Sequence, residues 1–294
     1  LNYAASDSRA RYFQIRGIGE RSGYQGTPNS SVGFLIDDID YSGQGGIATL
    51  FDVDQVEVFR GPQGSRTGAN ALAGLIYIKT KDPTNQFEGT SEITIGDYGT
   101  QNLGIAFGGP LKNEKLKYRL VLRTDYADGF RKNIFLNKSD TSKKDELTLR
   151  YKLNWDFNET TEINFVISKI DMDDPADIWT IDGSLNTLSD RPGMDSQETN
   201  SYGVKVTKNF NNFDLQSFTS ATKTDVIFSY DADWGNPESH FPYTYDYFSE
   251  TLRKRDTFSQ EIRFLSKNTD FSQKNPFEWV FGFDFSELEE TNVT

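Results

Sequence analysis

From residue 84 onward, apolar and polar side chains alternate along the chain, the period of a strand with two unlike faces. In 146–157, Leu147, Leu149, Tyr151, Leu153, Trp155 and Phe157 share one face; Glu146, Thr148, Arg150, Lys152, Asn154 and Asp156 share the other. In 116–126 the apolar face is Leu116, Tyr118, Leu120, Leu122 and Tyr126. In 277–286 it is Phe277, Trp279, Phe281, Phe283 and Phe285. Weaker alternation at 87–96, 101–108, 162–170, 201–210, 213–228 and 257–265 brings the expectation to nine strands. No stretch of useful length there carries the helical period.

The connections come in two kinds. Those at 109–115, 158–161, 211–212 and 266–275 are short or moderate. Those at 127–145, 171–199 and 229–255 are long, with 97–100 as a tight exception. Short turns at one end and long loops at the other describe an outer-membrane barrel meander. Alternation also builds soluble sandwiches. A sandwich, however, gives no reason for loops of ~20–30 residues recurring at one end, where ~4–6 is usual. Single-chain bacterial barrels have an even strand count, so the expectation is a fragment of a larger barrel.

Residues 1–83 follow another pattern. Short strand-like runs at 12–16, 32–36, 56–59 and 75–80 are separated by glycine-rich loops. Pro83 closes this unit and sets the expected boundary, 1–83 against 84–294. The glycines of 61–74 do not make a phosphate loop, because a Walker loop needs lysine after its second glycine and Ala69 follows Gly68. They read as tight turns and close backbone approaches.

Composition narrows the chemistry. The chain has 294 residues, no cysteine and a single histidine, His240. That excludes disulfides and thiolate metal sites, and argues against histidine clusters and histidine-based triads. Mean hydropathy is −0.63, and no run approaches the ~18 apolar residues of a membrane helix. Neither fact bears against a barrel, whose strands score as polar. The opening LNYAASDSRA has no signal-peptide pattern. The net charge is −13. It concentrates in 171–199, with 8 acidic and 1 basic residue, and in 229–250, with 5 acidic and none basic. Such a chain is no nucleic-acid binder, and an acidic mouth disfavours highly anionic ligands. The acids around Asp231 and Asp233 lack calcium-loop spacing.

An ordered set of segments carries a more specific signal: YFQIRGIG (12–19), VGFLIDDIDYSGQ (32–44) and VEVFRGPQGSRTGANALAGLIYIKTKDP (56–83), then alternating strands. This set closely resembles the plug domain and early barrel of TonB-dependent outer-membrane receptors. Glu57, Arg60, Gly61, Pro62, Gly64, Gly68, Gly74, Ile76, Ile78, Thr80 and Lys81 keep the family's closing plug motif. Asp38 stands where glycine is usual, and Thr67 where an aromatic is common. GGPL at 108–111 resembles the family's first periplasmic turn.

The resemblance implies a mainly β chain. It consists of the C-terminal part of a mixed α/β plug, then the first nine antiparallel strands of a transmembrane barrel of ~22 strands. The N-terminal plug, its TonB box and the remaining strands fall outside these residues. The implied function is import of a scarce nutrient, nearest to the iron–siderophore receptors, driven by TonB with ExbB and ExbD. Carbohydrate and cobalamin importers share the motifs, and a passive porin lacks a folded plug. Lipopolysaccharide and an extracellular small-molecule ligand are the other expected partners. No catalytic residue, cofactor or metal is expected.

In the family, arginines of the IRG and RGP motifs latch the plug to wall glutamates. The matching positions are Arg16 and Arg60, with Glu57 beside them. Apical loop residues Tyr24, Gln25, Tyr41 and Gln44, and loop aromatics Trp179, Trp234, Tyr243 and Tyr245, are the ligand-binding candidates. Arg60→Ala is expected to loosen the plug and raise small-solute leakage, read as conductance in a planar bilayer.

Overall fold

The structure is a computed structural model that describes residues 1–5, 10–20, 30–44, 49–64, 70–111, 114–267 and 278–294. Every element with described bounds is a strand. Strands β1 (Asn2–Ala5) and β2 (Ala10–Gln14) form an antiparallel ribbon. Next come β3 (Val32–Ile36), β4 (Ile39–Asp40), β5 (Val53–Arg60) and β6 (Gly74–Thr80), a four-stranded sheet in the order β4-β3-β6-β5. The β3–β6 pair is parallel and the β5–β6 pair antiparallel. Gly74 opens β6 at φ +156°, where a Cβ would collide with the Phe59 carbonyl and with Ile15. This is why the closing plug strand begins on glycine.

The wall follows: β7 (Glu88–Ile95), β8 (Gln101–Pro110), β9 (Leu116–Ala127), β10 (Lys132–Asn133), β11 (Lys144–Asn158), β12 (Thr161–Ala176), β13 (Asn186–Thr187), β14 (Gly193–Asn209), β15 (Phe213–Asp231), β16 (Phe248–Ser266) and β17 (Val280–Val293). Nine of these form one antiparallel meander, β7-β8-β9-β11-β12-β14-β15-β16-β17. The short β10 and β13 pair in parallel within the long loops. The nine strands are those the alternation predicts, but several run further than expected. β12 reaches Ala176, β15 reaches Asp231 and β17 reaches Val293. The extensions of β12 and β17 lack alternation because their outer faces are charged, with Asp171 and Asp173 on β12 and Glu287 and Glu289 on β17. The same level of the wall carries Lys169 against Glu198 at 3.0 Å and Lys254 against Asp225 at 3.6 Å. Charges there place these strand ends beyond any hydrocarbon layer.

The wall is inside-out. On β11 the polar Thr148, Arg150 and Lys152 are buried, while Leu149, Trp155 and Phe157 are exposed. On β9 Arg119 is buried and Leu120 exposed. Polar side chains therefore face the plug, and an apolar band faces outward, as in a membrane barrel. β12 departs from this rule on its inner face. Its Val166, Ile170 and Met172 join Ile15, Val32, Phe34, Ile36, Ile39, Tyr41, Ala73, Ile76 and Ile78 in one core, so the wall completes the plug's interior. That double apolar face is what weakens the alternation at 162–170.

A charge placed mid-band tests the lipid-facing assignment. Leu120→Arg should cost about 2–4 kcal/mol, measured by denaturant unfolding in lipid bilayers.

Candidate functional site at the plug–wall interface

The plug is keyed into the wall by the dipeptide Phe51–Asp52. Asp52 sits at φ +60° in the turn before β5. This turn points Phe51 at Ala106 and Val121, with which it forms a small core. Gly104 of β8 makes room, since a Cβ there would lie 2.7 Å from the Phe51 ring. Asp52 then receives the Arg119 guanidinium through both oxygens, at 2.7 Å from Nε and 2.5 Å from Nη2. The remaining nitrogen of Arg119, Nη1, reaches Glu88 at 2.8 Å. Side chains of Asp52 and Arg119 are 1% and 2% exposed. A bidentate, dry pair of this kind fixes orientation as well as distance. Arg150 of β11 lies against the same peg, its Nη2 3.4 Å from the carbonyls of Phe51 and Asp52.

The second contact is the β3–β4 hairpin. Its two turn residues, Asp37 and Asp38, both have positive φ (49° and 69°). A two-residue hairpin turn of this hand favours asparagine, aspartate or glycine first and glycine second, so Asp37 suits its place and Asp38 stands where glycine is preferred. Wall and plug hold them in place. Asp37 accepts from the Thr80 amide at 2.9 Å and the Thr80 hydroxyl at 2.5 Å. Lys152 Nζ lies 3.4 Å from Asp37, 2.6 Å from Asp82 and 3.2 Å from Thr80 Oγ1. Asp38 accepts from Tyr77 at 3.1 Å and from Lys205 of β14 at 3.0 Å. The departure from glycine at Asp38 thus supplies an ion pair.

Against these nine strands, the described plug-to-wall ion pairs run from plug acid to wall base. Plug carboxylates Asp37, Asp38, Asp52 and Asp82 meet wall bases Arg119, Arg150, Lys152 and Lys205. Arg16 occupies the tip of a tight turn (φ 55°) between the bridged Ile15 and Ile18, and is exposed. Arg60 ends the edge strand β5 and is also exposed. Neither forms an ion pair among the described residues. Glu57 is half-buried and accepts from Gln55 at 2.7 Å. Glu57 and Arg60 both lie on β5, the edge strand of the plug sheet. Arg119, Arg150 and Lys152 were legible as the polar faces of β9 and β11. Their plug partners had no motif to mark them.

Tyr24 and Gln25 lie outside the described residues. Tyr41 and Gln44 are buried plug-to-wall contacts rather than open surface. The Tyr41 hydroxyl donates to Ser201 at 2.7 Å, and burial pushes its pKa up to about 12. Gln44 accepts from Thr224 at 3.1 Å. Trp179 packs on Tyr230 with ring centres 4.9 Å apart, and Trp234 is exposed on the next loop at φ +61°. Tyr243, Tyr245 and Tyr247 form an exposed stack with centroids 6.5 and 6.0 Å apart, and His240 stands edge-on to Tyr245. Tyr247 continues the β15–β16 ladder through its carbonyl to Ala232, so it shares the parity of the lumen-facing Thr251 and Arg255. Below the stack, burial and the neighbouring Asp233 push the Asp231 carboxyl up to about 6, so it adds its charge to the mouth only above that pH.

A plug sheet keyed by ion pairs to the polar face of an inside-out meander has a counterpart among known proteins. Residues 2–75 match the family model of the TonB-dependent Receptor Plug Domain. Residues 2–75 are a plug domain of that family, and the strands after it have the fold of TonB-dependent receptor barrels. The vitamin B12 transporter BtuB of Vibrio vulnificus is 25% identical over 158 residues, covering 49% of this chain and 26% of that protein. The probable TonB-dependent siderophore receptor PirA of Acinetobacter baumannii is 29% identical over 159 residues, covering 49% and 20%. Among solved structures, the ferric yersiniabactin uptake receptor FyuA of Yersinia pestis superposes with a TM-score of 0.76 at 17% identity, over 91% of this chain and 41% of that one. The chain thus spans less than half the length of the relatives it matches.

Removing one partner of the dry pair strands the other. Arg119→Met should cost about 3–5 kcal/mol, and pairing it with Asp52→Leu should recover most of that, read by denaturant unfolding of the single and double variants.

Proposed function

We propose that this chain is the plug and part of the wall of an energy-coupled importer in the outer membrane of a Gram-negative bacterium. The plug is residues 1–83, and the chain passes into the wall at Pro83. One observation carries the reading: the plug sheet is held against the polar face of the wall through buried ion pairs, so clearing that face takes work. TonB, energised through ExbB and ExbD, is the partner that supplies that work by pulling on the plug. Arg16 and Arg60, both exposed, and the half-buried Glu57 are where further wall would complete the latch.

The ligand we favour is a ferric siderophore. Two of the relatives above are named for siderophore or ferric-chelate uptake. The acidic mouth favours a neutral or cationic chelate over a triply anionic one. The tyrosine stack, with Trp179 and Trp234 near it, offers flat apolar faces for the ligand's organic shell. Outward carboxylates above the apolar band, such as Asp171 and Asp173, suit lipopolysaccharide phosphates bridged by divalent cations. Cobalamin is the second reading, because BtuB matches half the chain.

Uptake of iron-55 complexed to a neutral hydroxamate, against uptake of cobalt-57 cobalamin, separates the two in cells with and without TonB. Iron uptake that needs TonB, with expression rising under iron starvation, is the expected result. TonB-dependent cobalamin uptake without iron uptake would favour the second reading, and uptake of either without TonB would overturn the energy coupling.

A further inference from the structure

The three long loops are fastened to one another, but unequally. Segment 184–190, between β12 and β14, is bolted to the β9–β11 loop. Its backbone runs beside β10, with the Lys132 amide 3.2 Å from the Leu185 carbonyl and the Ile134 amide 3.1 Å from the Thr187 carbonyl. Buried side chains lock that seam. Asp177 accepts from Thr187 Oγ1 at 2.7 Å and from Asn133 Nδ2 at 2.9 Å, and Asn133 also donates to the Ser189 carbonyl at 2.8 Å. The β15–β16 loop, which carries Tyr243, Tyr245 and Tyr247, is joined to the same segment more lightly. The Asp190 amide donates to the Gly235 carbonyl at 2.9 Å, and Asn236 Nδ2 to the Leu188 carbonyl at 3.0 Å. An exposed ion pair, Arg191 with Asp246, closes the rim.

Asp231 stands at the root of this lighter seam. It is the last residue of β15 and only 6% exposed. One oxygen accepts from the Asp233 amide at 3.2 Å. The other, sealed from water, takes no well-formed hydrogen bond among the described residues, and the nearby Ser189 hydroxyl offsets this only in part. The charged groups that bear on it are acids, Asp233 from its own turn and Asp190 across the seam. His240 is engaged with the Asp233 carbonyl at 3.1 Å. Arg191 is drawn off by Asp246 and by the Phe248 ring, 5.1 Å away. A carboxylate at this place is poorly solvated and repelled from two sides, and a carboxylic acid is neither.

We propose that Asp231 is a proton-operated clasp: protonated, it lets the tyrosine loop dock on 184–190; ionised, it frees that loop while 184–190 stays bolted to the β9–β11 loop. The clasp belongs to the mouth alone, so energised uptake is a separate question. Burial, with Asp233 and Asp190 behind it, moves the carboxyl from 3.8 to about 6. The docked state therefore holds the proton more tightly than the free loop does. Docking is firmest below about pH 4 and weakens as the pH climbs through about 6. The tyrosines ride on this loop, so acidity decides whether an arriving molecule meets a fixed aromatic face or a moving one.

Electron spin resonance on the receptor in lipid bilayers tests this without ligand or TonB. Spin labels on Leu185→Cys and Glu238→Cys, both exposed, report the distance across the light seam, and this stretch has no native cysteine. One short, narrow distance is expected at about pH 4, and a longer, broader population should gain about tenfold on it by about pH 7. Labels on Leu185→Cys and Lys138→Cys, across the bolted seam, should show no change. Asp231→Asn keeps an acceptor for the Asp233 amide and drops the charge, so it should give the narrow distance at every pH. Asp231→Ser serves the same purpose if the amide variant does not fold. Histidine is the other side-chain type that changes charge in this range, so His240→Gln should respond as the wild type does. A seam distance that does not change with pH, a response that survives in the Asp231 variants, or one that vanishes in His240→Gln would each overturn the clasp.

Discussion

A carboxylate and a guanidinium buried together inside a polar wall set the terms for the whole interface. Asp52 and Arg119 cannot be separated without leaving a charge in a dry space, and that penalty exceeds what the pair contributes when made. The peg is therefore all-or-none: Phe51 must fill the hole beside Gly104 and Ala106 for Asp52 to reach Arg119. Once it does, the register of the plug against β8 and β9 is set. Lys152 and Lys205 then fall opposite the two aspartates of the hairpin. The looser contacts inherit their geometry from the tight one.

Much of this arrangement is written in the chain. A period of two marks every wall strand whose outer face meets hydrocarbon and whose inner face meets polar plug, as on β9 and β11. It fades where one condition lapses. On β12 the inner face is apolar because Val166, Ile170 and Met172 serve the plug's core. On the extended ends of β12 and β17 the outer face is charged because no lipid lies against it. Both failures have the same physical root: alternation reports contrast between two environments, and it disappears when the environments become alike.

The site was less legible, for a related reason. Ion pairs between segments distant in sequence leave no periodic trace. Arg119 and Lys152 could be placed on the inner face by parity, but parity names no partner. Asp52 lies in a turn without a motif. Asp38 stood out only as a departure from glycine, and its meaning came from Lys205, 167 positions later. The motif arginines Arg16 and Arg60, conspicuous in the sequence, are exposed and form no ion pair among the described residues. Tyr41 and Gln44 looked like ligand contacts because they sit at a loop apex, yet Ser201 and Thr224 already occupy them.

The shared core bears on how such a molecule comes into being. Ile15, Phe34, Ile39 and Ile76 bury themselves partly against side chains that belong to β12. A plug released ahead of its wall would expose that surface to water, with the cohesion of a small sheet and little else to hold its side chains in one packing. The wall, in turn, leaves Val166, Ile170 and Met172 of β12 uncovered until the plug is in place. Each half completes the packing of the other, and docking buries apolar surface that neither could bury alone.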